Sequence, residues 1–514
     1  MTAPTKRRDL PVFPISPDPV RGPTGEARGG VARDVQAVHL DIEPIGPYGG
    51  PRVAVVTLGC DKNTVDSERM MAALVGQGAR VSSDPAGADV VIINTCGFIQ
   101  AAKEETIETI LDALRMKEDG EVRAVVAVGC MVQRHGAELA QEIPEVDLYL
   151  GLTDLPKLIP ELRGRGLLPE PQVPLMERPL RILASETPHT SFLKISEGCD
   201  HTCAFCAIPL MRGLHRSAPL ADLVEEAAAL GRSGVRELNI VSQDTTWYGR
   251  DLRRRDPAAP LLPDLLRALL ERTEVDWYRL FYMYPSGITQ PLVELLAEAA
   301  ASPGSVRGSG ARPRIVPYLD VPLQHGSDRV LAAMRRPERQ ATIRERIAWL
   351  RDAIPGLTLR TTLIVGFPGE TDDDFRAMTD LLEELRFDRV GAFVYSPEED
   401  TPAAGMPDQV PEALRRERLE ELMDVQRGIS LEKNLDLVGT VHTALVDRLV
   451  GDDGDGDPEF AALARIEAQA VDVDGVTWLV PEGADDVVPG SMIRVEIVDA
   501  GEHDLTGKVV TGGA

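Results

Sequence analysis

Aromatic side chains are scarce in this sequence: Phe, Trp and Tyr together make 4% of 514 residues. Hydrophobic residues still reach 43%, so the chain can bury sizeable cores, and these must be mainly aliphatic. No apolar run approaches the ~18 residues that a membrane-spanning helix needs. The opening stretch has Lys6, Arg7 and Arg8 but no apolar segment behind them, which argues against a secretory signal. The expectation is a soluble, cytoplasmic protein with no membrane partner. Positive charge is also short, with 55 Lys and Arg against 82 Asp and Glu, a net charge of −27. That balance repels phosphate backbones at long range and attracts basic partners. General acidic solubility produces the same balance, so charge alone names no substrate.

Cysteine is the next scarce residue. There are six: Cys60, Cys96, Cys130, Cys199, Cys203 and Cys206. Three disulfides would use them all, but a large cytoplasmic chain disfavours disulfides. They fall instead into two trios, one compact and one dispersed.

The chain divides by composition. Residues 1–48 are rich in Pro, Gly and Arg without periodicity and read as a disordered extension. Residues 51–165 alternate strand and helix patterns, predicting a parallel α/β domain. Three apolar runs there, PRVAVVTLGC, ADVVIINTCG and VRAVVAVGC, each end at a cysteine of the dispersed trio. Ligands of open α/β sheets bind at the carboxyl ends of strands, so three cysteines at equivalent ends predict one shared site. Residues 185–430 continue with six strand patterns and intervening helices, predicting a partial (β/α) barrel with its chemistry at the strand C-termini. Thr371 is placed to cap one of these helices, followed by Asp372, Asp373 and Asp374, which suit the dipole there. Residues 440–514 are short β-like runs between Gly- and Asp-rich turns, predicting a small β-barrel. The fold class is therefore α/β with a C-terminal β-barrel.

The chemistry concentrates in SEGCDHTCAFC, residues 196–206. Three thiolates within so short a loop can grip one soft metal centre. Zinc would need a fourth ligand, for which His201 and His215 are candidates, but the loop opens a βα barrel and is not a free-standing finger. A 4Fe–4S cluster held by Cys199, Cys203 and Cys206 would leave one iron open for a substrate or cofactor. The pattern C-x3-C-x-aromatic-C, with Phe205 as the aromatic, resembles the radical SAM superfamily. The resemblance implies that S-adenosylmethionine (SAM) chelates the open iron and is cleaved by an electron from the cluster to a 5′-deoxyadenosyl radical.

The dispersed trio narrows the resemblance. LGCDKNTVDSE, NTCGFI and GCMVQR, around Cys60, Cys96 and Cys130, are similar to the N-terminal domain of the methylthiotransferases. That family joins such a domain to a radical SAM barrel and a small TRAM barrel. The resemblance implies a second 4Fe–4S cluster on Cys60, Cys96 and Cys130, which binds or supplies sulfur. It implies a reaction converting C–H to C–S–CH3 with two SAM molecules, one giving the methyl group and one the radical. The protein's part would be positioning and exclusion of water. An electron donor is a required partner.

Other positions carry weaker signals. Gly366 and Gly369 in TTLIVGFPGET allow close backbone approach in a region the family uses for SAM, though an ordinary strand–turn–helix junction reads the same way. Gln243 and Asp244 end the second barrel strand and could face SAM or substrate; Asp244 could equally be a cap. His325 could line the cavity or be a satisfied polar residue. Asp61 and Lys62 could tune a cluster or turn the chain. Arg307, Arg312 and Arg314 sit in a mobile-looking insertion, and DGDGDPEF reads as a turn, lacking the rest of a calcium-binding loop.

Two branches of the family differ in substrate. One modifies a transfer RNA adenosine (the MiaB type); the other modifies an aspartate of small-subunit ribosomal protein twelve (the RimO type). SQDTTWYG and YLDVPLQHGSDRVLAAMRRP resemble the RimO type. Residues 440–514 hold 16 Asp and Glu against 4 Lys and Arg, a poor surface for phosphates and a suitable one for a basic ribosomal protein. Two other readings compete: a non-catalytic iron–sulfur scaffold, which would gain nothing from open irons, and a simpler radical SAM enzyme whose first domain is structural.

Overall fold

The computed structural model describes residues 13–14, 50–168, 170, 180–184, 187–301, 314–451 and 459–510. The expectations for residues 1–12 and 15–48, for Arg307 and Arg312 and for the Asp-rich turn at 452–458 fall outside the described residues, as does the side chain of Arg314. The chain forms two compact units. One takes the chain up to Phe192 together with Leu210–Arg212 and Glu225–Gly234; the other takes the remainder.

The first unit is built on a parallel five-stranded sheet. Its order is Arg80–Ser82, Arg52–Thr57, Val90–Thr95, Ala124–Gly129, Leu148–Gly151. VVIINT and AVVAVG are buried along their whole lengths, as central parallel strands covered on both faces must be. Alternation along the strands sorts the side chains. Val53, Val55 and Ile92 pack on one face and Ala54, Val56, Val91 and Ile93 on the other. The two edge strands, Arg80–Ser82 and Leu148–Gly151, were not predicted; they are short. Helices Asp61–Val75 and Cys130–Glu142 start at the carboxyl ends of their strands, and Gln100–Glu118 starts a few residues past Thr95.

The second unit holds most of an open six-stranded sheet, taking its first strand from Leu193 on. In chain order and in space its strands run Thr190–Lys194, Glu237–Val241, Trp277–Leu280, Arg314–Asp320, Thr358–Val365, Arg389–Val394. Successive pairs from the second strand on are parallel. Sequential order with helices between is the topology of a βα barrel left unclosed. Thr371 caps the helix Asp372–Leu385 as expected: its hydroxyl accepts from Asp374 N–H at 3.3 Å, and Asp374 accepts Thr371 N–H at 2.9 Å.

A 24-residue helix, Glu412–Leu435, leads to a closed five-stranded barrel. Its strands are Val441–Leu449, Ala462–Ile466, Thr477–Leu479, Met492–Ala500 and Leu505–Val509. The last was not predicted. Inward Ala444, Val446, Ile466, Leu479, Val495 and Ile497 fill it. Arg465 of this barrel reaches Glu237, at the start of the second strand of the open sheet, at 2.5 Å, and Asp447 at 2.7 Å. Arg279 donates to the other oxygen of Glu237 at 2.8 Å. Burial alone would raise the Glu237 carboxyl; Arg465 and Arg279 outweigh it and hold the group below its usual range. Among the described residues no helix is long and apolar enough to cross a membrane.

Candidate metal centres

The compact trio sits on the loop after Ser196–Glu197. Cys199 N–H donates to Gly213 O at 3.0 Å, and Cys206 N–H to Cys203 O at 3.2 Å. Ala204, between the cysteines, is clamped on both sides: its N–H donates to Met334 O at 3.0 Å and its carbonyl accepts Ala403 N–H at 2.8 Å. Phe205 packs against the apolar group of Ala204, Val330, Met334, Phe367, Tyr395 and Ala403. The aromatic of the motif therefore anchors the loop. Gly198 has φ +74°, and a Cβ there would stand 2.3 Å from Leu214 O, so only glycine permits this close approach.

The three thiols feel one another electrostatically. Burial pushes Cys199 and Cys206 up to about 12, opposed by backbone N–H groups of His201 and Ile208. These donors favour the thiolate that a soft metal needs. Arg336 adds a guanidinium 4.0 Å from the Cys203 sulfur.

Of the imidazoles that could have completed a zinc site, His201 is engaged through Nε2 and its ring face, and His215 through one of its two nitrogens. His201 Nε2 lies 2.7 Å from Asp244 and its ring stacks on Tyr284, centroids 3.9 Å apart. His215 Nε2 is 3.2 Å from Ser217 Oγ. Among the described residues no three His, Cys, Asp or Glu side chains are gathered at the spacing of a single ion. Thiolates on different irons of a four-iron cluster stand farther apart than ligands of one ion.

The dispersed trio is assembled by topology. The strands ending at Thr57, Thr95 and Gly129 are adjacent in the sheet, and Cys60, Cys96 and Cys130 follow them. Each cysteine has a glycine beside it. At Gly59, φ +92°, a Cβ would be 2.7 Å from Cys96 Cβ; at Gly97 it would meet Met131 Cα at 2.9 Å; at Gly129, φ +105°, Asn94 Oδ1 at 2.5 Å. Three strand ends can converge this closely because those positions have no side chain.

Cys60 occupies the N-cap of one helix and Cys130 the first residue of another, where the dipole favours negative charge. Burial raises Cys130 to about 12 and Cys96 to about 11; the charge of Arg212 and, for Cys96, the Phe98 N–H work in the opposite direction. Arg212 donates to Asn63 Oδ1 at 2.5 Å and to Asp66 at 3.2 Å, and the Cys130 sulfur is 3.7 Å from the same Asn63 oxygen. Both trios thus offer thiols, opposing N–H donors and a cation, a donor set that fits an anionic thiolate-bound cluster.

Of the two parts the sequence allowed Asp244, the structure shows the cap, and it adds a pairing with His201. One oxygen caps Thr245–Trp247 through Thr246 N–H at 2.9 Å and its hydroxyl at 2.6 Å; the other pairs with His201. Gln243 beside it is half-buried. Gly366, φ +73°, donates its N–H to Glu370 at 2.8 Å, and a Cβ there would strike Arg415 at 2.0 Å. Gly369, φ +78°, donates to Asp408 O at 2.8 Å. His325 is a satisfied buried residue: Nδ1 accepts Ser327 N–H at 2.9 Å, so Nε2 donates to Glu370 at 3.0 Å. Asp61 and Lys62 pair at 3.1 Å beside Cys60. Sequence reasoning missed Arg336, Tyr284, Arg212 and Asn63. Only the structure brings these residues to the thiols or to the side chains beside them.

Family models match the chain in three places: an uncharacterized protein family, UPF0004, over residues 52–151, the radical SAM superfamily over 193–382 and the TRAM domain over 438–510. A ribosomal protein uS12 methylthiotransferase RimO of Anaeromyxobacter sp. (strain K) is 44% identical over 89% of this chain and 93% of its own length. The protein of that name from Geobacter sulfurreducens is 40% identical over 90% of this chain and 99% of its own. Among solved structures, the radical S-adenosylmethionine methyltransferase TsrM from Kitasatospora setae aligns with TM-score 0.46 and 14% identity, covering 80% of each chain. A radical SAM domain implies SAM and one 4Fe–4S cluster. Identity at this level over nearly the whole length settles membership: the chain belongs to the RimO family of ribosomal protein uS12 methylthiotransferases.

Proposed function

We propose that the chain transfers a methylthio group to the β-carbon of an aspartate in ribosomal protein uS12, using two 4Fe–4S clusters and SAM. The observation that carries this reading is the dispersed trio: three cysteines at the ends of three adjacent strands, in a region outside the radical SAM match. A plain radical SAM enzyme has no use for such a second thiol site. Cys199, Cys203 and Cys206 would hold the cluster that meets SAM, and Cys60, Cys96 and Cys130 the second. The domain limits we propose are 51–165, 185–430 and 440–514.

When bound, cluster and SAM supply one-electron cleavage and hydrogen removal. The chain's own residues hold the loop through Ala204 and Phe205 and orient His201 through Asp244. Phe205, Gln243, Asp244, Gly366 and Gly369 are proposed as the residues that bind the cofactor. For Gly366 and Gly369 this must be through atoms other than their N–H groups, which Glu370 and Asp408 already occupy. An external electron donor and a cytoplasmic setting complete the proposal. The transfer RNA alternative is disfavoured by the C-terminal segment, whose 16 acidic and 4 basic residues would repel phosphates.

The test is anaerobic. The protein is reconstituted with iron and sulfide, given SAM and reductant, and offered uS12 and transfer RNA in parallel. A methylthio mass gain on an aspartate of uS12 alone is expected. A gain on RNA would keep the chemistry and overturn the substrate. SAM cleavage with no gain on either would leave only the radical SAM core standing.

A further inference from the structure

The turn after the helix Asp328–Ala333 presses on the cysteine loop in two ways. Met334 O accepts the Ala204 N–H, and Arg336 Nη1 stands 4.0 Å from the Cys203 sulfur. Arg335 between them takes φ +59°, a conformation non-glycine residues adopt only when their surroundings enforce it. Arg336 is 4% exposed, so its charge acts through protein rather than water. Its guanidinium lies 3.8 Å from the ring centroid of Tyr284, and Nη2 donates to Pro322 O at 2.8 Å. Its Nε is 3.3 Å from Glu338, which is itself 5% exposed, and neither Glu338 oxygen has a hydrogen-bond partner. A cation fixed by a ring and a carbonyl thus faces one cysteine sulfur, with a buried carboxylate behind it.

We propose that Arg336 and Glu338 form an opposed pair that sets the reduction potential of the cluster on Cys199, Cys203 and Cys206. Reduction adds negative charge to the cluster. A fixed buried cation within reach of a ligand sulfur favours the reduced form, and a buried anion opposes it. Low dielectric makes both effects larger than at a surface. The inference rests on the reading of those cysteines as cluster ligands. It assigns Arg336 and Glu338 a tuning role and no contact with substrate.

The test uses the full-length chain carrying Cys60→Ala, Cys96→Ala and Cys130→Ala, so that one cluster signal remains. Iron and sulfide are counted, and the cluster is titrated reductively while its paramagnetic signal is followed. For Arg336→Gln we expect about a tenfold fall in the ratio of reduced to oxidised cluster at a fixed potential, which is 59 mV for a one-electron couple. Glu338→Gln should move the ratio the opposite way, and Arg336→Lys, which keeps the charge, should move it least. A merely structural turn would change iron content and leave the potential of loaded protein unmoved. Unmoved potentials, or shifts of one sign in both Gln variants, would overturn the proposal. If Arg336→Gln holds no cluster, Glu338→Gln decides alone: a raised potential upholds the pair and an unchanged one removes it. A parent chain without iron would sink the ligand reading itself, and this proposal with it.

Discussion

The two cysteine trios reach similar chemistry by opposite routes. Cys199, Cys203 and Cys206 are brought together by sequence, within one loop pinned at Ala204. Cys60, Cys96 and Cys130 are far apart in the chain and are brought together by the order of three parallel strands. The compact trio therefore depends on a few contacts to its loop. The dispersed trio depends on a whole sheet and on glycines that let its strand ends close. A thiol site can be lost by unpinning a loop or by spreading a sheet, and the two losses should be separable.

The largest separation should come from removing the thiols themselves. Replacing Cys199, Cys203 and Cys206 by Ala should abolish SAM cleavage, a loss of at least ~1,000-fold, since no other group supplies that chemistry. Replacing Cys60, Cys96 and Cys130 should leave SAM cleavage intact, lower bound iron by about half and end methylthio transfer. Counting iron beside 5′-deoxyadenosine formation checks both. Methylthio transfer that survives the second substitution would make the first domain a structural appendage.

Stability should separate the units as well. Glu237 is buried between Arg279 and Arg465, in the unit of the compact trio. Glu237→Gln takes the carboxylate partner from the buried Arg279 and leaves Arg465 with Asp447, and breaking such a buried network costs about 3–5 kcal/mol. The Glu237 carboxyl is held below its usual range. Its contribution is therefore complete above about pH 4.3, the unfolded value, and fades as pH falls through the lower folded value. Calorimetry of Glu237→Gln should show one transition moved down at neutral pH and less acid-sensitive than before, with the transition of the first unit in place. Equal movement of both transitions would contradict the separation.

Much of this was legible in the sequence, for reasons the structure makes plain. The compact motif is local, so spacing alone brings its thiols together. The dispersed trio could be inferred because apolar runs ending at Cys60, Cys96 and Cys130 specify strands, and parallel strands share a carboxyl edge. Short elements escaped: Arg80–Ser82 has too few residues for a period, and Leu505–Val509 carries Gly507 in its middle. The surroundings of the thiols escaped as well. Arg336 is 133 residues from Cys203 and Arg212 is 149 from Asn63, and no local pattern couples them. His325 could be read two ways, and its partner Glu370, 45 residues away, decides between them.

Closing the sheet edge should be sensitive to single atoms. At Gly59→Ala the new methyl group combines a φ of +92° with a 2.7 Å approach to Cys96. Strain and overpacking together cost about 2–4 kcal/mol. The expected outcome is loss of the second cluster with the first retained, seen as half the iron and undiminished SAM cleavage.

The smallest effect tests the compact loop. Asp244 accepts from Thr246 with one oxygen and from His201 Nε2 with the other, at 2.7 Å. Asp244→Asn can keep the cap through its carbonyl oxygen but turns an NH2 toward His201, so donor meets donor unless the ring changes tautomer. The loss is of a charge-assisted hydrogen bond, about 1.5 kcal/mol, too little to unfold the unit. His201 lies between Cys199 and Cys203 and stacks on Tyr284, so a loosened ring loosens the loop that carries the thiols. Iron should then pass to a chelator several-fold faster from the compact site, while release from the dispersed site keeps its rate. Equal acceleration at both sites would mean that Asp244 acts on the whole protein and that the loop is not independently pinned.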